Sequence, residues 1–67
     1  MKMQSRSESG LMTVQDAAKF LAVSTSTLYG WVYLRRIPFV KVGSALRFEL
    51  AELQNFIQSN RFTVRSK

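Results

Sequence analysis

Apolar residues recur three and four positions apart in the segment after Thr13, which is the spacing of one face of an α-helix. This stripe consists of Val14, Ala17, Ala18 and Leu21. Thr13 is a suitable N-cap, and Asp16 stands three residues later in an approximate capping box. The pattern therefore predicts a first helix that begins just after Thr13 and buries one face.

A second helix is predicted from about residue 25 to residue 34, with Ser24 as its N-cap. Only a short break at Ala22 and Val23 separates it from the first helix, so the chain must turn sharply, as in a helix-turn-helix. The core face is predicted to carry Leu28, Trp31 and Val32. The opposite face is predicted to carry Ser26, Tyr29, Gly30 and Tyr33.

Glycine in the middle of a helix costs about 1 kcal/mol relative to alanine. Gly30 is therefore either merely tolerated on an exposed face, or kept because another surface approaches the backbone there.

After Pro38 the apolar period changes to two, which predicts a β-hairpin. The inward face is predicted to carry Val40, Val42, Leu46 and Phe48. That arrangement needs a loop of odd length, most simply residues 43–45, and it places Lys41 directly opposite Arg47 on the outer face. Like charges in that position are mildly destabilising. The pair therefore favours a hairpin that straddles phosphates over two side chains that merely extend into water.

A third helix is predicted to start near Glu49 or Leu50, with an apolar face formed by Leu53, Phe56 and Ile57. The expected fold is mainly α with a small β-hairpin, in the order of a winged helix-turn-helix. Residues 1–10 are predicted to be a disordered tail, residues 11–59 the folded domain and residues 60–67 a basic tail.

The composition argues against an enzyme. The chain has 67 residues, no cysteine, no histidine and four carboxylates. Asp16 is explained by capping, Glu49 and Glu52 by the helix dipole, and Glu8 lies in the tail. No carboxylate is left for acid/base work, so we expect no catalytic residue, no metal and no cofactor.

The charge balance points to an anionic partner. Ten basic and four acidic side chains give a net charge of +6, which in so small a domain favours nucleic acid. The longest nearly unbroken apolar run, residues 28–34, is far shorter than the roughly 20 residues of a membrane-spanning helix. The polar N-terminus is not a signal peptide, so a cytoplasmic location is expected.

Several stretches in one order resemble the excisionase-type, MerR-like family of winged helix-turn-helix DNA-binding domains. These stretches are LMTVQDAA (11–18), VSTSTLY (23–29), RIP (36–38), VKVG (40–43), RF (47–48) and LQNFI (53–57). The resemblance extends over most of the chain and implies a protein that binds and bends attachment-site DNA for an integrase. Other proteins that resemble it in fold act as small phage or plasmid transcription regulators.

The second helix and the hairpin carry the candidate DNA contacts. A recognition helix usually lies in the major groove and reads base edges there. The expected base contacts are Thr25, Ser26, Tyr29, Gly30 and Tyr33. The expected phosphate contacts are Ser24, Thr27, Arg35, Arg36, Lys41 and Arg47. For Arg35 and Arg36 the competing interpretation is a favourable interaction with the helix C-terminus.

The sequence departs from the family pattern at several of these positions. Family members often have arginine where this chain has Thr25, Gly30 or Tyr33, and glycine where it has Arg35. Two basic residues often follow the wing glycine, where Ser44 and Ala45 stand here. The base-reading helix is therefore expected to work through hydroxyl groups and aromatic rings.

Three functions remain open at this point: an excisionase, a small transcriptional regulator, and a protein-interaction module whose tyrosine-rich face binds a partner. MerR-type regulators carry a long dimerising helix after the DNA-binding domain, and this chain ends ten residues beyond Ile57. We therefore expect a monomer in solution that binds double-stranded DNA cooperatively, with an integrase as a further partner.

Overall fold

A computed structural model describes residues 10–63. The remaining residues, 1–9 and 64–67, lie outside the described part of the chain, and with them most of the predicted N-terminal tail and the end of the basic tail. The elements, in chain order, are β1 (Leu11–Met12), α1 (Val14–Leu21), α2 (Thr25–Tyr33), β2 (Val40–Val42), β3 (Ala45–Glu49) and α3 (Leu50–Ser59). The three predicted helices and the hairpin are confirmed, and the hairpin belongs to a three-stranded antiparallel sheet.

Helix α1 begins where the sequence pattern places it. The backbone N–H of Asp16 donates to Oγ1 of Thr13 at 3.1 Å, which satisfies one of the free donors in the first turn. Val14, Ala17 and Ala18 are buried, and Leu21 packs against the same core. The small side chains of Ala17 and Ala18 allow α2 and β3 to approach α1 closely.

The turn between α1 and α2 is fixed by backbone hydrogen bonds. Ala22 adopts a left-handed conformation with φ 60° and ψ 42°. Its N–H donates to the carbonyl of Lys19 at 3.1 Å, and the N–H of Val23 donates to that of Ala18 at 2.9 Å. This pair of bonds is the Schellman arrangement, in which the left-handed position favours glycine. The chain then enters α2 directly, so the two helices are held at a sharp angle.

The core lies between the helices and one face of the sheet. Its buried members are Val14, Ala17, Ala18, Leu28, Ile37, Phe48 and Leu53. Phe48, Leu28 and Leu53 are the largest side chains that are fully buried, and they come from β3, α2 and α3. One residue from each of these elements therefore meets in the centre, which fixes α2 relative to the hairpin.

The predicted register of the hairpin is wrong. Val42 lies opposite Ala45, Lys41 opposite Leu46 and Val40 opposite Arg47. The loop is therefore the two residues Gly43 and Ser44, and not the three residues 43–45. Gly43 has a φ of 63°, whereas Ser44 has no positive φ, as expected for a type II′ turn with glycine in its first position.

The reason for the change is that Ile37 occupies the core in place of the two valines. Ile37 is buried in the connection before β2, whereas Val42 is 52% exposed. Directly opposed residues project to the same face of a sheet. Val40, Val42 and Arg47 therefore share the outer face, while Lys41 shares the other face with Leu46 and Phe48. The predicted pairing of Lys41 with Arg47 does not occur.

Strand β1 is an element that the apolar pattern did not predict. Leu11 pairs with Glu49 and Met12 with Phe48, so the strand order is β1-β3-β2 and β3 is central. The carbonyl of Gly10, a residue that the sequence pattern assigned to the tail, accepts a hydrogen bond of 2.9 Å from the N–H of Leu50. Within residues 10–63, no helix is both long and apolar enough to cross a lipid bilayer.

Candidate nucleic-acid interface

Helix α2 divides into the two faces that its sequence predicts. Leu28 is fully buried, and Trp31 and Val32 are partly buried against the core. On the other side Tyr33 is 85% exposed and Tyr29 is 52% exposed. Thr25, Ser26 and Gly30 are exposed as well. The five residues predicted to contact bases are thus all accessible on one helix, and they are hereafter called the α2 outer face.

The first turn of α2 has a local hydroxyl network. The N–H of Thr27 donates to Oγ of Ser24 at 3.1 Å, and the Ser24 hydroxyl donates to Oγ1 of Thr27 at 3.0 Å. The two hydroxyl groups are therefore tied to each other and to the first turn of the helix, and both residues are exposed.

Gly30 is not required by the fold. It lies inside α2 with no positive φ, and a Cβ atom at this position would meet no heavy atom within 4 Å. An alanine would fit and would raise helix propensity by about 1 kcal/mol. The bare backbone therefore has no explanation in the packing of the domain itself, and it leaves a notch in the α2 outer face.

The C-terminus of α2 presents two arginines on a fixed backbone. The N–H of Arg36 donates to the carbonyl of Trp31 at 2.8 Å, and that of Arg35 to Val32 at 3.0 Å. Arg35 has a φ of 60°, a conformation that costs an L-residue roughly 1–2 kcal/mol. This is the position where the resembling family commonly has glycine, and the left-handed φ accounts for that preference.

The side chain of Arg35 is also held in place. Its guanidinium carbon lies 5.9 Å from the ring centroid of Phe39, within the range of a cation–π contact. Both Arg35 and Arg36 are exposed. The Arg35 side chain thus contacts the connection to β2, and its charge remains available at the end of the α2 outer face.

The hairpin places one cation on each of its two faces. Lys41 is exposed on the edge strand β2. Arg47 is partly buried on the central strand, and its Nη1 donates to the carbonyl of Leu46 at 2.7 Å. Because their positions alternate across the sheet, the two charges point away from each other.

Leu34 is an exposed residue that the sequence reasoning did not assign to either face of α2. It follows the last helical residue and is 59% exposed, next to Tyr33. The sequence signal for its exposure was its position four residues after Gly30, which places both residues on the same side of the helix. Together with the tyrosines it makes the C-terminal part of this surface apolar.

Residues 11–61, well over half of the chain, match a protein-family model described as a helix-turn-helix domain. The chain belongs to this family. Family membership supports DNA binding and agrees with the helices, turn and wing described above, and such domains are typically non-enzymatic. No curated protein and no solved structure gives a significant match.

Proposed function

We propose that this helix-turn-helix domain is an excisionase-type protein that binds and bends attachment-site DNA, so that an integrase can excise a mobile element. The observation that carries the DNA-binding part is the α2 outer face, which is accessible along its length and is followed at once by Arg35 and Arg36. A helix of this kind fits the major groove, with cations at its end for the phosphate backbone.

Within this proposal the α2 outer face reads bases. Thr25 and Ser26 lie at the N-terminal end of the helix, where recognition helices usually contact base edges. Tyr29, Gly30 and Tyr33 continue the same surface. Ser24 and Thr27 would contact phosphate at the helix start, and the exposure of both residues supports that role.

The wing is proposed to contact the backbone with Lys41 and Arg47. The corrected register gives a different geometry from the paired charges that the sequence suggested. A narrow hairpin in a minor groove has one DNA strand on either side, and one cation on each face of the hairpin can reach one strand each. Charge on both faces thus fits a groove better than it fits a flat anionic surface.

Binding to a random-sequence duplex should weaken steeply with salt. Between about 50 and 200 mM salt, log K is expected to fall linearly with log salt, because bound cations release counterions from the phosphates. Lys41→Ala and Arg47→Ala should each lower the slope by about one, since each removes one phosphate contact. Fluorescence anisotropy of a labelled duplex measures both quantities.

Lys19→Ala is the matched control for this series. Lys19 is an exposed cation in the last turn of α1 and is not among the proposed contacts. Its removal lowers the net charge by the same amount but should leave the salt slope unchanged. An affinity that does not vary with salt, or equal slopes for all four proteins, would contradict the proposed role of the wing.

The excisionase assignment rests on the resemblance of the ordered stretches between residues 11 and 57. A single small DNA-binding module buries only about 600–1,000 Å², and the α2 outer face has no charged side chain. One copy is therefore expected to bind weakly. Several copies on adjacent sites can add their contacts along one side of the duplex and offset a bending cost of a few kcal/mol.

The free protein should sediment as a monomer, and its affinity per site should be higher on three tandem sites than on one. Sedimentation velocity and gel shifts on the two DNAs measure these properties, and a circular-permutation assay reports the bend. A stable dimer, or equal affinity per site on both DNAs, would contradict the excisionase role and favour a transcriptional regulator.

The protein-interaction alternative has less support. Trp31, the side chain most characteristic of binding hot spots, packs against Phe56 with ring centroids 5.7 Å apart and belongs to the edge of the core. If the protein binds no duplex at low salt, the protein-interaction alternative would be favoured over DNA binding.

A further inference from the structure

The chemistry of the α2 outer face limits which bases it can distinguish. Helix α2 contains no arginine, lysine, asparagine, glutamine, aspartate or glutamate. These are the side chains that recognise guanine, adenine and cytosine by specific hydrogen bonds in the major groove. The hydroxyl groups of Thr25 and Ser26 can bond to any base pair, so they discriminate little.

What remains on this surface is apolar contact. Tyr29 and Tyr33 expose their rings, and Leu34 exposes its side chain. At about 100° per residue Gly30 lies between Tyr33 and Leu34 on the helix surface, and it leaves an open notch there. Only one base carries an apolar group in the major groove of unmodified DNA, and that group is the 5-methyl of thymine. An exposed glycine between a tyrosine ring and a leucine side chain offers an open, apolar place for a methyl group.

We infer that this domain recognises its DNA through thymine methyl groups, with Gly30 as the receiving notch and Tyr33 and Leu34 as its sides. The inference rests on the proposed DNA-binding function and specifies the ligand of the same surface. It also explains why a mid-helix glycine is present where the fold leaves room for a side chain. The missing side chain at Gly30 leaves room for the DNA and is not needed for packing of the core.

The test starts from sites selected out of a random duplex library. Each thymine in a selected site is then replaced singly by uracil, which removes the methyl and leaves every hydrogen-bonding group in place. Binding should weaken about fourfold for each contacted thymine, the equivalent of one buried methyl group. Placing 5-methylcytosine at that position should bind better than cytosine, because it restores the methyl alone.

Gly30→Ala provides the second arm, since it adds a methyl to the protein where the base methyl is proposed to lie. The variant should bind the thymine site more weakly than the parent protein. At one position it should bind thymine and uracil equally or prefer uracil, because the alanine methyl fits the space that uracil leaves. Asn55→Ala is the matched control. It raises helix propensity on the exposed side of α3 and should keep the thymine preference unchanged.

The outcomes separate this inference from the proposed function. If no duplex is bound at low salt, both are overturned. If DNA is bound but uracil and thymine are equivalent at every position, only the thymine inference is overturned. If an A·T preference comes from the wing in the minor groove, uracil and thymine should bind equally, because the thymine methyl group lies in the major groove.

Discussion

Replacing Phe48 with alanine is expected to unfold the domain. Phe48 is fully buried in the central strand β3, whose inner face meets α1 and α3. A buried phenylalanine truncated to alanine costs about 3–5 kcal/mol, and small domains have a total stability near the lower end of about 5–15 kcal/mol. Urea unfolding followed by circular dichroism should show little or no folded baseline for Phe48→Ala.

Phe62→Ala is the control for this experiment, because it removes the same atoms from a side chain that is 92% exposed. Its free energy of unfolding should stay within about 0.5 kcal/mol of the parent protein. A Phe48→Ala protein with an unchanged unfolding midpoint would show that the core described here is not the one that stabilises the fold.

Arg35→Gly is expected to make the domain more stable and a weaker DNA binder. Glycine removes the steric cost of the left-handed backbone at this position, and the net gain in the free energy of unfolding should be about 1 kcal/mol. The same change removes a proposed phosphate contact, so the salt slope of DNA binding should fall by about one. Thermal unfolding and anisotropy titrations measure the two effects separately.

Ala22→Gly is the matched variant, since Ala22 ends α1 with the same φ of 60° but carries no charge. The Ala22→Gly variant should show a similar gain in the free energy of unfolding, and the salt slope of its DNA binding should be unchanged. If Arg35→Gly instead lowers stability and leaves binding unchanged, Arg35 serves the helix C-terminus and its cation–π contact with Phe39, and the phosphate role is wrong.

The helices were predictable because their apolar residues repeat with one period and face one core. The burial of Val14, Ala17 and Leu28 and the exposure of Tyr33 follow from that spacing alone. The accessibility of the predicted base contacts was predictable for the same reason. Whether they contact DNA stays a prediction that the experiments above address.

The hairpin register was not predictable from alternation. Two valines alternate with Lys41 in a pattern typical of a half-buried strand, but Ile37, in the connection before β2, fills the space they were expected to occupy. The turn glycine then sets a two-residue loop, and a change of one residue moves every side chain to the other face. The left-handed φ of Arg35 was not predicted either, although the glycine that the resembling family commonly has at this position was an available signal.

The pairing of β1 with β3 affects how the domain folds. The α1–α2 pair and the β2–β3 hairpin are local in sequence, whereas β1 must close a loop that contains α1, α2 and β2 before Met12 meets Phe48. Closing such a loop costs chain entropy before any contact offsets it. The strand pair is therefore expected to form late and to join the local units into one cooperative transition. A helix-turn-helix fragment that lacks β3 would leave its apolar faces uncovered, so the smallest unit able to present α2 to DNA is the whole segment from Gly10 to α3.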